Sequence, residues 1–135
     1  MMISTRGRYA LRVLADLAEH TDSGYVPMKD VAARQEISLK YLERIMPILT
    51  SNGLVEGVHG KGGGYKLTKK PEEYRVGDIL RLTEVSLSPV ACLENNSSPC
   101  PRRNKCTTVE MWSELSEVIN NYLDTKTVAD LINKT

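Results

Sequence analysis

Apolar residues in the first third of the chain recur every three or four positions, which is the spacing of one face of an α-helix. This pattern predicts three helices, over residues 5–19, 28–34 and 39–51. Ser4 precedes the first helix, and Ser38 is a good N-cap for the third because its side-chain oxygen can accept a free backbone amide. Pro47 lies inside the third helix and removes a backbone hydrogen bond, so we expect a bend near Glu43 to Pro47.

A different pattern follows the helix stop at Asn52-Gly53. Residues 54–58 and 65–67 are short strand candidates, and His59-Gly60-Lys61-Gly62-Gly63-Gly64 lies between them. This glycine density suits a hairpin turn with positive backbone φ. Three helices followed by a hairpin is the order of a winged helix-turn-helix. The sequence therefore predicts a mainly α fold with a small β-hairpin wing.

The second half of the chain predicts a short helix, an irregular segment and a long helix. The short helix is expected over residues 76–82 and the irregular segment over 85–103. Apolar steps of three and four residues then predict a helix of about four turns over 108–124. Thr127 caps a last short helix.

Composition and charge limit the class of protein. A chain of 135 residues is the size of one domain and can bury a core without disulfides or metal. Phe is absent and aromatic residues make up 5%, so the core must be aliphatic. Residues 1–70 hold 11 Lys and Arg against 7 Asp and Glu, whereas residues 71–135 hold 7 against 10. This asymmetry suggests that only the front half meets a polyanion.

The sequence gives no sign of membrane insertion or export. No apolar run approaches the roughly 18 residues that span a bilayer. The stretch from Met1 to Arg8 lacks the apolar segment of a signal peptide. We therefore expect a cytoplasmic protein, whose thiols stay reduced.

Exposed positions of the predicted helices and wing are candidate contacts with double-stranded DNA. Lys40, Glu43 and Arg44 can reach base edges or phosphates, and Glu43 would discriminate between bases more than it attracts DNA. The full candidate set is Arg6, Arg8, Met28, Ser38, Lys40, Tyr41, Glu43, Arg44, His59, Lys61, Gly62, Gly63 and Tyr65. A small helical bundle with solvated charges is the alternative.

The glycine-rich turn is interpreted as a wing rather than a phosphate-binding loop. A P-loop needs Ser or Thr after its lysine and then a helix, but Gly62 follows Lys61 and a strand comes next. As a wing, the turn carries His59 and Lys61 on a backbone thin enough to enter a minor groove. A merely flexible turn is the alternative.

Cys92, Cys100 and Cys106 form the pattern C-x7-C-x5-C. Zinc sites usually pair ligands as C-x2-C, so the wide gaps favour a larger group such as an iron-sulfur cluster. Pro99 and Pro101 flank the middle cysteine and would stiffen the loop around it. The alternatives are three unrelated thiols or a zinc site.

Three thiolates leave one ligand position unfilled, because clusters usually have four protein ligands. Thr107, Thr108 and Glu110 are candidates in sequence, as are residues from elsewhere or from a partner subunit. His20 and His59 are both distant along the chain. The fourth ligand is unidentified.

The long helix carries a broad apolar arc that predicts a two-fold dimer. The arc consists of Met111, Trp112, Leu115, Val118, Ile119 and Tyr122. A dimer would present two recognition helices to palindromic half-sites about one helical turn apart. Packing within one chain alone is the other interpretation.

These features together resemble the bacterial winged helix-turn-helix regulators that include IscR, NsrR and CymR. The resemblance lies in Ile3 to Arg12, Ile37 to Glu43, Asn52-Gly53-Leu54-Val55 and Gly60 to Tyr65, with the three cysteines, Met111-Trp112 and the terminal helix. It is closest to the three-cysteine IscR-like members. It implies a homodimeric transcription factor whose cysteine loop holds an iron-sulfur cluster beside the dimer helix.

The sequence also departs from these regulators. IscR-like members place a ligand histidine three residues after the last cysteine, where this chain has Val109, and NsrR-like members can use an aspartate where it has Arg8. IscR-like wings tend to have Arg and Pro at the positions of His59 and Lys61, and the first cysteine gap is longer here. CymR-like members lack the cysteines and respond through a partner enzyme.

The leading hypothesis is a homodimeric repressor or dual regulator whose operator binding is controlled by an iron-sulfur cluster. It divides the chain into a DNA-binding domain over residues 1–83, a cluster-binding loop over 84–107, and the dimerisation and terminal helices over 108–135. The alternative is a cofactor-free repressor of the CymR type that senses a metabolite or a protein. We do not expect an enzyme, because there is no C-x-x-C motif and no histidine beside the cysteines.

Overall fold

The computed structural model describes residues 1–94 and 100–133, whose main elements follow the predicted order. The elements are α1 (Thr5–Ala18), α2 (Met28–Gln35), α3 (Leu39–Ser51), β1 (Val55–Val58), β2 (Gly64–Leu67), α4 (Val76–Thr83), α5 (Val109–Thr125) and α6 (Val128–Ile132). The predicted fold class, a helical domain with a two-stranded wing, is confirmed. None of the described helices is long and apolar enough to cross a membrane.

Ser38 caps α3 as predicted, and Ser4, which precedes α1, caps that helix in the same way. The Ser4 side chain accepts a hydrogen bond from the Gly7 amide, and Ser38 Oγ accepts one from the Tyr41 amide at 3.1 Å. Helix α3 continues through Pro47 to Ser51 as one α-helix. The predicted bend before this proline stays a prediction.

The turn between α2 and α3 depends on one residue in a left-handed conformation. Glu36 ends α2 with φ of 55°, and its amide donates to the Ala32 carbonyl. Left-handed backbone is unfavourable for residues with a Cβ atom, so the packing around it must compensate. Ile37, which follows, is buried in the core and holds the turn in place.

The wing is a two-stranded antiparallel hairpin with one extra backbone pairing on the outer edge of its second strand. Val55 pairs with Leu67, and Val58 pairs with Gly64. Val26, ahead of α2, forms an isolated bridge with Tyr65, and the two residues exchange N–H···O bonds of 2.8 and 2.9 Å. The wing is therefore tied to the helical part of the domain through its second strand.

The core lies between α1, α2, α3 and the base of the wing, and α6 closes it. The fully buried aliphatic side chains include Ala10, Val13, Leu14, Val31, Leu42, Ile45, Leu49 and Val128. The predicted aliphatic core is confirmed, with Tyr74 the one aromatic side chain buried among the described residues. Val128 belongs to α6, so the C-terminal helix contributes to the same core as the first three helices.

Helix α5 packs on α4 but buries none of its own residues. Its C-terminal end is fixed by Arg81, whose guanidinium donates to Asp124 at 2.8 and 3.1 Å and to Asn120 at 2.8 Å. The Val76 amide then donates to the Lys126 carbonyl at 2.8 Å, just beyond the helix end.

The segment before α5 is irregular over its described residues, as predicted, apart from a short 3-10 turn at Ala91–Leu93. Pro99, which was expected to stiffen the cysteine loop, lies outside the described residues. The proposed division of the chain into three segments stays a prediction.

Candidate DNA-binding face and cysteine pocket

Most predicted DNA contacts have solvent-exposed side chains. Lys40, Glu43 and Arg44 are exposed on α3. Arg6, Arg8, Ser38, His59, Lys61 and Gly62 are also exposed, whereas Met28, Tyr41, Gly63 and Tyr65 are partly buried. The exposed group offers several cations and one carboxylate, an arrangement that can bind phosphates and discriminate between bases.

Tyr41 positions the start of α3 through a contact that the sequence did not reveal. Its ring meets the Tyr9 ring edge to face, with the ring centroids 5.4 Å apart. The guanidinium carbon of Arg12 lies 5.2 Å from the centroid of the Tyr9 ring, and Arg12 Nε donates to Gln35 Oε1 at 3.2 Å. This chain of contacts runs from α1 to both α2 and α3, so it fixes the exposed residues of α3 relative to α1.

Arg6 is held by the end of α4. Its Nε and Nη2 donate to the Thr83 carbonyl at 3.1 and 2.5 Å. Beside it, Glu84 accepts from the Ser4 amide and the Ser4 hydroxyl, both at 2.6 Å. A Cβ atom on Gly7 would lie 2.6 Å from Glu84 Oε2, so glycine is required for this close approach. The start of α1 is thus joined to the residues that lead into the cysteine segment.

Burial of the Glu84 carboxyl favours its neutral form, but the hydrogen bonds from Ser4 and Thr83 outweigh this effect. Together with the positive charge of Arg6, they keep the pKa of Glu84 below its usual value. Glu84 is therefore an anion at neutral pH, and its charge helps to hold Arg6 in place.

Asp16 is a buried carboxylate that joins α1 to α2. Its side chain is 2% exposed and accepts two hydrogen bonds from Arg34, at 2.7 and 3.0 Å, and one from Gln35 at 2.9 Å. Burial alone would raise the pKa of Asp16, but these hydrogen bonds and the charge of Arg34 hold it below its ordinary value. The spacing of apolar residues does not reveal this pair, whose partners lie 18 residues apart.

Glycine is required at the wing for close backbone approach. Gly64 has φ of 152°, and a Cβ atom there would lie 2.3 Å from the Val26 carbonyl oxygen. A Cβ atom on Gly57 would lie 2.7 Å from the Tyr65 ring. Gly60 and Gly62 have φ of 91° and 78°, as predicted for the turn.

Tyr74 attaches the base of the wing to the core. Its hydroxyl donates to the Leu54 carbonyl at 2.6 Å and accepts from the amides of Thr68 and Lys69 at 3.0 and 3.2 Å. No local sequence pattern indicates this role, because Tyr74 lies in a connection between elements.

We expect Tyr74→Phe to lower the free energy of unfolding by about 2 kcal/mol, because it removes the short hydrogen bond to the Leu54 carbonyl and the acceptor of the Lys69 amide. Urea denaturation measures the loss. Tyr25→Phe is the matched control, since the Tyr25 hydroxyl lies 3.5 Å from Glu56 at an exposed position. Equal stability of the two variants would contradict the assigned role of Tyr74.

The three cysteines are brought together. Cys92, Cys100 and Cys106 line one narrow pocket with Arg103 and Val109. The enclosed space is about 10 Å³, roughly the room needed for one water molecule. Within the described residues, no group of His, Cys, Asp and Glu is arranged to hold a metal ion.

The surroundings of Cys106 favour ionisation of its thiol. Its Sγ lies 3.4 Å from the Thr108 hydroxyl oxygen, just before α5 begins. The Thr108 side chain, followed by the backbone amides of Thr108 and Val109, lowers the pKa of Cys106, and the charge of Arg102 acts in the same direction. Thiolates are the form in which cysteine binds metals, so the donor set fits an iron-sulfur group through three of its ligands. Val109 also lines the pocket, but its side chain has no donor atom for a metal.

The unit formed by α1, α2 and α3, with exposed charged side chains on α3 and a glycine-rich wing after it, is that of a winged helix-turn-helix transcriptional regulator. Residues 3–134 match the family model described as "Rrf2: Iron-dependent Transcriptional regulator". The chain therefore belongs to the Rrf2 family.

Relatives and solved structures agree with this assignment. The chain is 38% identical to the HTH-type transcriptional regulator IscR of Yersinia pseudotuberculosis, over 98% of this chain and 80% of the relative. It is 40% identical to protein rrf2 of Nitratidesulfovibrio vulgaris, over 98% and 87%.

Among solved structures, CymR, the global cysteine regulator of B. subtilis, superposes with a TM-score of 0.81 at 33% identity, covering 100% of this chain and 98% of CymR. IscR of T. potens superposes with a TM-score of 0.75 at 34% identity, covering 98% and 86%. The predicted resemblance to IscR and CymR is confirmed. These proteins are transcriptional regulators, so the prediction that this chain is a DNA-binding regulator and not an enzyme is confirmed as well.

Proposed function

We propose that this protein is a homodimeric regulator that binds a palindromic operator and whose binding is controlled by an iron-sulfur cluster on Cys92, Cys100 and Cys106. One observation carries the proposal. Three cysteines separated by seven and five residues line a single pocket, and Val109, the first residue of α5, lines the same pocket. The chain's 38% identity to an IscR regulator supports it further.

DNA recognition is assigned to α3 and the wing. Lys40 and Arg44 can donate to phosphates or guanine, and Glu43 can accept from a cytosine amino group. The wing tip carries His59 and Lys61 on exposed backbone, which suits a minor groove. Arg6 and Arg8 at the start of α1 would contact phosphates on the flank.

Dimerisation is assigned to the apolar face of α5. Met111, Val118 and Tyr122 are 51%, 63% and 59% exposed, values that a second copy of the helix would reduce. Leu115 is also exposed, and Trp112 and Ile119 are partly buried beside them. A two-fold contact here would set the distance between two copies of α3, and hence the spacing of the half-sites.

The cysteine pocket is assigned to cluster binding. When bound, an iron-sulfur cluster supplies a redox-active and oxygen-sensitive centre. Cys106 lies two residues before Thr108, the N-cap of α5, so fixing its sulfur also fixes the start of the dimer helix. Cys92 lies eight residues after Glu84, which holds Ser4 and the start of α1. Ligand occupancy can therefore bias both the dimer helix and the DNA-binding unit.

The decisive experiment is anaerobic purification followed by absorption and Mössbauer spectroscopy, iron and acid-labile sulfide analysis, and DNA titration. The duplex is selected from random sequence by the wild-type protein, and the forms with and without iron are titrated on it at one salt concentration. We expect visible absorbance, iron with sulfide, and a clear difference in affinity or sequence choice. Equal affinity of both forms would overturn iron-sulfur control, and zinc without visible bands would indicate a zinc site.

We expect Glu43→Ala to reduce the operator-to-nonspecific affinity ratio by about tenfold, because a carboxylate that reads a base also repels phosphate at wrong sequences. Fluorescence anisotropy on the selected duplex and on a scrambled duplex measures the ratio. Glu72→Ala, which removes an exposed carboxylate outside α3, is the control. An unchanged ratio in Glu43→Ala would remove this residue from recognition.

A cofactor-free regulator of the CymR type is the second candidate. The structural likeness to CymR of B. subtilis favours it. So does Val109, which lines the cysteine pocket with an apolar side chain instead of a fourth metal ligand. In that case the protein would sense a metabolite or a protein partner instead. Colourless anaerobic protein without iron or sulfide would favour this candidate over the first.

A further inference from the structure

A second cavity lies at the C-terminal end of α1, beside the base of the wing. It has a volume of about 550 Å³, within the usual range for small-molecule sites. Four apolar residues line it, namely Leu17, Val26, Leu67 and Pro71. The cavity is thus able to bury an apolar group of modest size.

The rim of this cavity is basic. Lys66, Lys69 and Lys70 line it, and Glu73 is its one acidic residue. Lys66 is paired with Glu56 at 3.2 Å, but Lys69 and Lys70 form no ion pair among the described residues. Lys69 instead has its ammonium 5.5 Å from the centroid of the Tyr74 ring. Lys69 and Lys70, which have no carboxylate partner among the described residues, therefore line the cavity together with its apolar side chains.

The cavity is separate from the proposed DNA contacts at the start of α1 and at the wing tip, although Lys66 follows Tyr65 in β2. Leu17 lies in the last turn of α1 and His20 just beyond it, at the opposite end from Arg6 and Arg8. At 1.5 Å per helical residue, Arg6 and Leu17 are about 16 Å apart along the helix. The cavity also lies at the base of the wing rather than at its tip. DNA contacts at the start of α1 and at the wing tip would leave it open.

We propose that this cavity binds a small organic anion that has an apolar body and a carboxylate or phosphate head group. The apolar floor would remove the body from water, and Lys69 and Lys70 would attract the head group. DNA phosphates lack such an apolar part, and a free inorganic anion would use only the rim. A bound ligand would contact α1 and the base of the wing together, so it would act on the DNA-binding unit directly, independently of the cysteine pocket.

The test is a titration of the ¹⁵N-labelled full chain, followed through its amide NMR signals. The probes are phenyl phosphate and benzoate, with inorganic phosphate as the charge-only control and benzyl alcohol as the apolar control. We expect saturable shifts at Gly24 and at residues 66–70, with the preferred aromatic anion binding at least about fivefold more tightly than either control. Whether phenyl phosphate or benzoate binds more tightly identifies the head group.

Matched charge reversals test the rim. Lys70→Glu is expected to weaken binding about tenfold, whereas Lys29→Glu, on the exposed surface of α2, should leave it unchanged. Lys69→Gln provides a second variant that removes charge without reversing it. The amide spectra show directly that each variant is folded.

Three results would overturn the proposal. Inorganic phosphate could bind as tightly as phenyl phosphate, the shifts could spread over the surface without saturation, or duplex DNA could shift the same amides and displace the probe. The last result would assign the lysines to DNA contact. None of these results bears on the cysteines, so the cluster proposal is tested separately.

Discussion

Replacement of Asp16 by alanine is expected to lower the free energy of unfolding by about 3 kcal/mol. The carboxylate is 2% exposed and holds Arg34 and Gln35 of α2 against α1. Removing one partner of such a pair leaves the other desolvated charge without compensation, which costs about 3–5 kcal/mol when both partners are buried. Arg34 is partly exposed, so the lower end of that range applies. Since domains are stable by only about 5–15 kcal/mol, this loss would be a large fraction of the total stability.

Urea denaturation of Asp16→Ala and Asp16→Asn measures this loss. Asp78→Ala is the matched control, because Asp78 also pairs with arginine, at 3.0 Å from Arg75, but at an exposed position. We expect a much smaller change in that variant. Equal losses in Asp16→Ala and Asp78→Ala would show that the buried pair does not stabilise the fold.

The Asp16 pair also predicts how stability depends on pH. The pKa of Asp16 in the folded protein lies below its ordinary value of 3.8, so the unfolded chain binds the proton more readily. The stabilisation is complete well above pH 4 and is lost as the pH falls through the folded-state pKa. The stability difference between wild type and Asp16→Asn should therefore shrink below about pH 4. A difference that is constant from pH 7 to pH 3 would contradict the ionised state of Asp16.

Substitution of any one of Cys92, Cys100 and Cys106 by alanine is expected to abolish the visible absorbance of anaerobically purified protein. Each variant should still fold, because none of the three thiols is part of the main core. It should therefore also form the proposed dimer. Absorption spectra, iron analysis and size-exclusion chromatography measure these properties together. Intact absorbance in all three variants would defeat the assignment of these cysteines as ligands.

Val109→His provides the complementary gain of function. Val109 lines the same pocket as the three thiols, three residues after Cys106, where the sequence resemblance to IscR-like regulators implies a ligand histidine. An imidazole there would offer a fourth donor to a bound cluster, so we expect slower loss of iron to a chelator than in wild type. Thr107→His is the control, because Thr107 is exposed and outside the pocket. Equal rates of iron loss in the two variants would place the fourth ligand elsewhere.

The helices, the wing and their order were predictable because each is encoded locally. Helical spacing of apolar residues predicted α1 and α3 nearly to their ends, and the glycine cluster predicted the turn of the hairpin. Capping also followed local rules, since Ser4 and Ser38 accept the expected amides. The left-handed Glu36 was not predictable, because no glycine or asparagine marks that turn.

The contacts that join elements were harder to predict. Asp16 interrupts the apolar face between Val13 and Leu17, and a charged residue at such a position indicates a buried partner. That signal was available, but it does not identify Arg34. The role of Tyr74 had no local signal, because its hydroxyl bonds depend on how the wing meets the core. Convergence of the three cysteines likewise depends on the path of the chain between α4 and α5.

The fixed C-terminal end of α5 has a mechanical consequence. Arg81 donates a hydrogen bond to Asp124, and the backbones of Lys126 and Val128, just beyond the helix, are hydrogen-bonded to Val76 and Tyr74. This end of α5 therefore moves with α4 and the core of the domain. The opposite end, 17 residues and about 25 Å away, begins next to Cys106. A tilt of only ten degrees about the Asp124 end would carry the first turn through roughly 4 Å. In the proposed dimer, small changes among the thiols would thus be converted into large changes in the angle at which the two copies face each other.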